Sequence, residues 1–220
     1  MTFLGRAYNA LLRLGFHLLY NEMAWSYDLV SWAVSLGQWQ TWGRAGLRHL
    51  LGPCVLEVAF GTGDILLDLH AAGFTVYGLD LSPYMIAVTR RKLQKAGITV
   101  PISCGAVQSL PFADGAFDSV IVTFPPPFIR EEIALQELAR VLRFGGRLVV
   151  VDRALLQRTA LLARFIEWLY AITGQRPQWY TSQTDWLRET GWDATEHEQQ
   201  LEKSVVHLWV AERPELCRGP

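Results

Sequence analysis

The residues best suited to chemistry stand at the end of one apolar run. Val55-Leu56-Glu57-Val58-Ala59-Phe60-Gly61-Thr62-Gly63 reads as a buried strand running into a glycine turn at a helix N-terminus. Glycines let the main chain approach a ligand closely, and the exposed N–H groups of a first helical turn favour a carboxylate or phosphate. Asp80 ends the next apolar run, where a carboxylate can accept both hydroxyl hydrogens of a ribose. Together the turn and the acid suggest an adenosine-containing cofactor. A nicotinamide dinucleotide fits less well, because its G-x-G-x-x-G/A fingerprint needs a third small residue where this chain has Leu66. Starting the pattern earlier fails as well, since Ala59 and Asp64 then replace the first and third glycines.

The elements around these residues alternate. Strands are expected at Cys54–Ala59, Phe74–Asp80, Ile98–Cys104, Phe117–Phe124 and Arg147–Asp152, the last after a turn at Phe144-Gly145-Gly146. Helices are expected from about Asp64 to Ala72, from Ser82-Pro83 to about Ala96 with serine as cap, and from about Arg130 to Leu142. Such alternation implies an α/β, doubly wound, mostly parallel sheet with ligands beyond the carboxyl ends of its strands. A helix at about 155–172 and an irregular stretch to Tyr180 interrupt the pattern, so 153–180 reads as an insertion. A short helix near 183–190 and an antiparallel hairpin, Asp193–Gln200 with Val205–Ala211, complete it. Before the core, residues 4–20 form an amphipathic helical pattern. Residues 24–50 continue it with aromatics, broken near Gly37 and stopped by Leu51-Gly52-Pro53. The domain reading is therefore an N-terminal helical cap over 1–50 and a core over 51–220.

A chain of 220 residues that is 50% hydrophobic and 19% charged supports one substantial core and argues against disorder. Its net charge of -1 supplies no basic field for nucleic acid. Cys54, Cys104 and Cys217 are odd in number and widely spaced, matching neither a disulfide framework nor a zinc site, and His17, His49, His70, His197 and His207 lack ligand spacing, so no metal is expected. No apolar run reaches the length of a spanning helix and no cleavable leader is visible, which points to the cytoplasm. Trp25, Trp32, Trp39 and Trp42 crowd into one short stretch that this reading leaves unexplained.

Four segments in order, VLEVAFGTG at 55–63, VYGLDLSPYMI at 76–86, LPFADGAFDSVIV at 110–122 and RVLRFGGRLVVVD at 140–152, cover roughly half the chain. In them the sequence resembles the class I S-adenosylmethionine (SAM)-dependent methyltransferases, small-molecule branch, which includes the ubiquinone and menaquinone C-methyltransferases. The resemblance implies a Rossmann-like seven-stranded sheet with a helical cap and SAM as cofactor. It implies that Ala59, Gly61 and Gly63 lie against the methionine part, that Glu57 holds its amino group through water, and that Asp80 binds the ribose. Leu81 and Met85 would pack near the adenine or ribose, with main-chain groups of Ala106 or Val107 at the adenine. Tyr27, in Tyr20–Asp28, matches a capping segment that lies across the methionine. The chain departs from the family where Ala59 replaces a glycine, where Phe60 replaces a small residue and where Ala106 replaces an acid.

Methyl transfer is an in-line displacement that positioning and desolvation can drive, so no conspicuous catalytic residue is required. Pro125-Pro126-Pro127, after the fourth strand, offers a rigid wall; Tyr27, Pro125, His207 and Arg158 are the positioning candidates. Aromatic caps at 1–50 and 153–180 favour a small lipophilic or aromatic acceptor. Two alternatives stand beside this reading: a SAM-binding protein without turnover, and a membrane-surface enzyme acting on a phospholipid or quinone, with helix 4–20 as peripheral anchor. The sequence predicts saturable calorimetric binding of SAM or S-adenosylhomocysteine and none of NAD. NAD binding with no response to either SAM form contradicts it.

Overall fold

The computed structural model describes residues 26–125, 127–156 and 184–213. The expected helix 4–20, Arg158, Pro126 and most of the 153–180 insertion lie outside the described residues.

The first described elements are helices α1 (Tyr27–Ser35) and α2 (Trp39–Arg44) and a 3-10 turn at Leu47–His49. They are separated as expected near Gly37, where Leu36 and Gly37 both take left-handed backbone, at φ 54° and 79°. The core then alternates β1 (Cys54–Val58), α3 (Asp64–Ala71), β2 (Thr75–Asp80), α4 (Pro83–Ala96), β3 (Ile102–Cys104), β4 (Phe117–Thr123), α5 (Glu132–Val141) and β5 (Leu142–Leu156). A short helix α6 (Asp185–Glu189) and the strands β6 (Asp193–Gln200) and β7 (Ser204–Glu212) follow.

The seven strands form one sheet in the order β3-β2-β1-β4-β5-β7-β6. The first five run parallel, while β7 pairs antiparallel with both β5 and β6. Strand order reverses between β1 and β4, so the helices after them leave on opposite faces and a crevice opens at the carboxyl ends. Val55, Ile121 and Val149 pack beneath α3 and α4, whereas Leu56, Val120 and Leu148 pack against α5 and Leu187 of α6. Trp42 of α2 joins Val151, Val206 and Leu208, which fixes the cap to the far side of the same sheet face. Its indole N–H donates to Ser204 Oγ at 2.8 Å, and that hydroxyl donates to Gln38 at 2.9 Å. Among the described residues no helix is long and apolar enough to cross a membrane.

Local chemistry accounts for both ends of α4. Ser82 caps α4 by accepting the Met85 N–H, Pro83 opens the helix, and Gly97 closes it in left-handed conformation at φ 67°. Three expectations need correction. The third strand begins at Ile102, not Ile98, because Ile98 N–H still closes the end of α4 on Leu93 and Pro101 has no N–H to give a ladder. The fifth strand starts at Leu142 and continues through the glycines, with no separate turn at 144–146. It also runs past Asp152 to Leu156, so Leu155 is in a strand and not in a helix. The long partner β7 matches it residue for residue as far as Leu156 with Ser204, after a register shift between Val151 and Arg153, and satisfies its backbone.

One junction depends on a glycine. Gly52 takes φ 63°, and a Cβ there would overlap the carboxyl of Asp118. That carboxylate accepts the Cys54 N–H at 2.9 Å and pairs with Arg143 at 2.7 Å, tying the entry of β1 to β4 and β5. Gly52→Ala is expected to cost about 2 kcal/mol from strain and displacement of the carboxylate. Thermal melting should fall by roughly 4–8 °C in a chain of this size; an unchanged melting temperature would show that the junction relaxes freely.

Candidate functional site

At the carboxyl ends of β1 and β4, on the face covered by α2 and α3, lies a cavity with about 440 Å³ of empty space including its open mouth. One end is polar, formed by Glu57, the turn Ala59–Thr62 and Asp64. The other is aromatic, formed by Tyr27, Trp39 and Phe124, with Gly43 and Thr123 between them.

Alternation along β1 decides where Glu57 points. Leu56 and Val58 enter the core cluster with α5, so Val55 and Glu57 face α2 and α3. Glu57 is 1% exposed, and among the described residues neither carboxylate oxygen has a hydrogen-bond partner. Burial first, then the charges of Asp80, Asp64 and Asp68, hold its pKa well above the usual carboxylate range. A buried carboxylate without a partner is costly unless a cation arrives.

The turn after β1 is shaped by strain and by one acid. Ala59 takes left-handed backbone at φ 57°, a conformation that favours glycine, and its N–H donates to Leu79 O at 2.7 Å. Phe60 turns inward, and its ring covers Gly78 so closely that a Cβ there would meet it at 2.7 Å. This is how a bulky side chain fits where a small one was expected. Asp80 Oδ2 accepts the Gly61 N–H and Oδ1 the Ser82 N–H, each at 2.8 Å. Asp80 is buried, which raises its pKa, although the N–H groups of Ser82, Gly61 and Leu81 oppose the shift. Gly63 caps α3 at φ 79°, against Thr89, which donates to Gly61 O at 2.9 Å.

The cap is latched to this turn by charge. Asp28 accepts from Thr62 Oγ1 at 2.6 Å, and Lys92 bridges Asp28 and Asp64 at 2.7 and 2.8 Å. Farther along α3, Arg44 forks onto Asp68 at 2.7 and 2.8 Å, and Gln40 adds a third bond.

Of the sequence-selected residues, Glu57, Ala59, Gly61 and Tyr27 line the cavity. Gly63 and Asp80 do not line it, though Asp80 holds the N–H of Gly61, which does. Leu81 is 71% exposed beyond the end of β2, whereas Met85 is fully buried in the core. Ala106 is half-buried and Val107 buried in the loop after β3. Pro125 follows Phe124 but does not line the cavity. His207 is not brought to the cavity: on β7 it alternates away from Val206 and Leu208, which face Trp42, and its Nδ1 lies 3.1 Å from Glu198. Sequence reasoning missed Trp39, Thr123, Phe124, Thr62 and the Asp28–Lys92 latch; the crowding of tryptophans at 25–42 was the available signal.

The strand order and the glycine turn define the class I methyltransferase fold. Residues 55–146 match the family model described as a methyltransferase domain. Within that class the chain resembles the quinone-biosynthesis C-methyltransferases. It is 40% identical to the demethylmenaquinone methyltransferase of Thermus thermophilus over 140 residues, 61% of this chain and 64% of that protein. It is 29% identical to the ubiquinone/menaquinone biosynthesis C-methyltransferase UbiE of Geotalea uraniireducens over 143 residues, 61% of each. The chain thus spans less than two thirds of the length of these relatives. In fold it matches a SAM-dependent methyltransferase of Methanococcus maripaludis with a TM-score of 0.63 at 15% identity, covering 91% of this chain and 96% of that one. Geranyl diphosphate C-methyltransferase of Streptomyces coelicolor matches with a TM-score of 0.58 at 16% identity, over 79% and 78%.

The unpartnered carboxylate gives a pH signature. Glu57 ionises near 4.5 in the unfolded chain, and burial keeps it protonated in the fold to well above that. Below 4.5 both states hold the proton; as pH rises the unfolded chain releases it first, so stability falls. Glu57→Gln, neutral and similar in shape, is expected to melt with the parent near pH 4 and above it at pH 8 by at least ~2 °C, the shift that about 1 kcal/mol produces in a chain this size. A variant that melts lower at pH 8 would mean that the carboxylate is stabilising there.

Proposed function

We propose that this protein transfers a methyl group from SAM to a small aromatic acceptor of the quinone-precursor class. The observation that carries the reading is the Glu57 carboxyl group, 1% exposed and without a hydrogen-bond partner among the described residues, at the wall of a cavity that is also lined by Tyr27, Trp39 and Phe124. The methyltransferase-domain match and the likeness to demethylmenaquinone methyltransferases support it.

The residues present fit this cofactor. A methionine ammonium beside Glu57 supplies the missing counter-charge, directly or through water, and lowers the carboxyl pKa on binding. Backbone of Ala59 and Gly61 takes the adjoining atoms, since a Cβ at Gly61 would point into open space, and Gly63 starts the helix whose N–H groups favour the methionine carboxylate. Asp80 accepts the Gly61 and Ser82 N–H groups, one on each oxygen, with the Leu81 N–H also turned toward it, and of the roughly four acceptor positions of a carboxylate this leaves capacity for a ribose hydroxyl. Exposed Leu81 offers the adenine an apolar bed, and the loop at Ala106 and Val107 its main-chain groups. Met85 acts from beneath as core packing. Bound SAM supplies an electrophilic methyl on a sulfonium. The chain's own work is to hold the reactants in line, exclude water through Tyr27 and the cap, and keep charged side chains away from the aromatic end.

In this reading residues 1–50 are a cap on a 51–220 core, the part of the 153–180 insertion beyond Leu156 completes that cap, and the enzyme works in the cytoplasm, with membrane contact through residues 4–20 as the alternative. Methyl transfer from labelled SAM to demethylmenaquinol, followed by mass spectrometry, tests the activity; binding of SAM without any methylated product sinks it. Asp80→Ala is expected to raise the SAM dissociation constant at least roughly tenfold, or about 1.4 kcal/mol. Asp114→Ala, which removes an exposed partner of Arg140, serves as the charge-matched control. Melting curves must show both variants folded, and Asp80→Ala binding within about twofold of the parent would redraw the ribose site.

A further inference from the structure

The aromatic end of the cavity contains a conformation that packing alone does not require. Phe124 takes φ 50°, left-handed backbone that a bulky residue rarely adopts. It is also the residue before Pro125, a position whose backbone freedom is already restricted. The strain has a visible geometric result. Side chains alternate along β4: Val120 and Val122 enter the cluster with α5, while Ile121 faces the other way. Thr123 lines the cavity, so a regular residue 124 would point to the opposite face. The left-handed step instead brings the Phe124 ring to the same face as Thr123, and both line the cavity.

There the ring lies on Trp39, with centroids 4.4 Å apart and planes inclined at 36°. Trp39 is held from several directions. Its backbone N–H donates to Ser35 Oγ at 3.0 Å, which fixes the residue at the start of α2, while Tyr27 meets the ring edge-on at 6.2 Å and 81° and Trp42 packs beside it at 6.2 Å. Trp42 is in turn anchored on Ser204. Trp39 and Phe124 are nonetheless only half-buried, so this fixed pair keeps surface open to the cavity. A strained backbone that holds an open aromatic wall at a cavity is the kind of outlier from which function can be inferred.

We propose that Phe124 and Trp39 are the specificity-determining pair for the acceptor: a rigid aromatic wall on which a flat, fused aromatic ring stacks, in preference to an aliphatic group of the same size. The proposal rests on the methyl-transfer reading for what happens to the ring, but the binding preference stands on the wall alone. Offset stacking on fixed rings rewards a planar π system beyond its buried area, whereas a merely greasy surface does not distinguish planar from puckered. The polar end, with Glu57 and Asp64, is left to the other reactant.

The test is calorimetry on the full 220-residue chain, with and without S-adenosylhomocysteine, using 2-naphthol and its saturated counterpart decahydro-2-naphthol as probes. The parent is expected to bind 2-naphthol about tenfold more tightly. Trp39→Leu and Phe124→Leu should bring the two probes to within about twofold while leaving S-adenosylhomocysteine affinity within about twofold. Phe124→Gly, which accepts the left-handed backbone without strain, should still unfold in one cooperative transition, bind S-adenosylhomocysteine within about twofold of the parent and lose the preference. That separates loss of the wall from loss of the fold. Equal binding of both probes by the parent, no binding of 2-naphthol, or a preference that survives in both leucine variants overturns the proposal. If S-adenosylhomocysteine fails to bind, the methyl-transfer reading falls, and the naphthol titration of the free chain still decides the wall.

Discussion

The carboxylate of Asp80 joins two strand ends that the rest of the site depends on. One oxygen takes the N–H of Gly61 in the turn after β1, and the other takes the N–H of Ser82 at the cap of α4. Two loops that would otherwise be set only by their own torsions are thereby fixed to one rigid group at the edge of the crevice. Thr89 adds a bond from α4 back to Gly61 O, so the turn is held on both its donor and its acceptor side. Ala59 can remain in left-handed backbone because this frame surrounds it, and Phe60 can turn inward because Gly78 leaves the space.

The distribution of charge around the crevice follows the same economy. Asp28, Asp64 and Asp68 all face cations, Lys92 for the first two and Arg44 for the third. These pairs are partly exposed and contribute modestly to stability, but they orient the cap across the turn. Glu57, the most deeply buried acid of the group, faces none. The fold therefore keeps a destabilising carboxylate at the one position where a cationic ligand would relieve it, a common relation between stability and function.

Much of this was legible in the sequence because the signals were local. Strands β1 and β4 announced themselves as continuous apolar runs, and Ser82-Pro83 and Gly97 marked the ends of α4 by their intrinsic conformational preferences. Gly61 and Asp80 were singled out because a strand end followed by glycine, with an acid closing the next strand, suits an adenosine, whereas Glu57 came from the resemblance alone. The extension of β5 to Leu156 was hidden, since Arg153 to Leu156 carry no strong strand pattern and are recruited by the length of β7 across the sheet. The aromatic wall was hidden for a similar reason. It joins Trp39 to Phe124 across the fold, and the inward turn of Phe124 comes from one backbone torsion that no spacing rule encodes. His207 misled because position on a hairpin says nothing about which face a residue takes until the register is known.

The bond between Trp42 and Ser204 spans 162 residues of chain. During synthesis helices α1 and α2 emerge well before β7, the strand that carries the hydroxyl anchoring them. Val206 and Leu208, which complete the apolar bed under Trp42, arrive with it. The central parallel strands can pair beforehand, since β1, β2, β3 and β4 are all made earlier. Until the final hairpin leaves the ribosome, Trp42 lacks its seat and keeps an apolar face in water, so a nascent chain halted before Ser204 would carry that exposed surface as a binding site for chaperones.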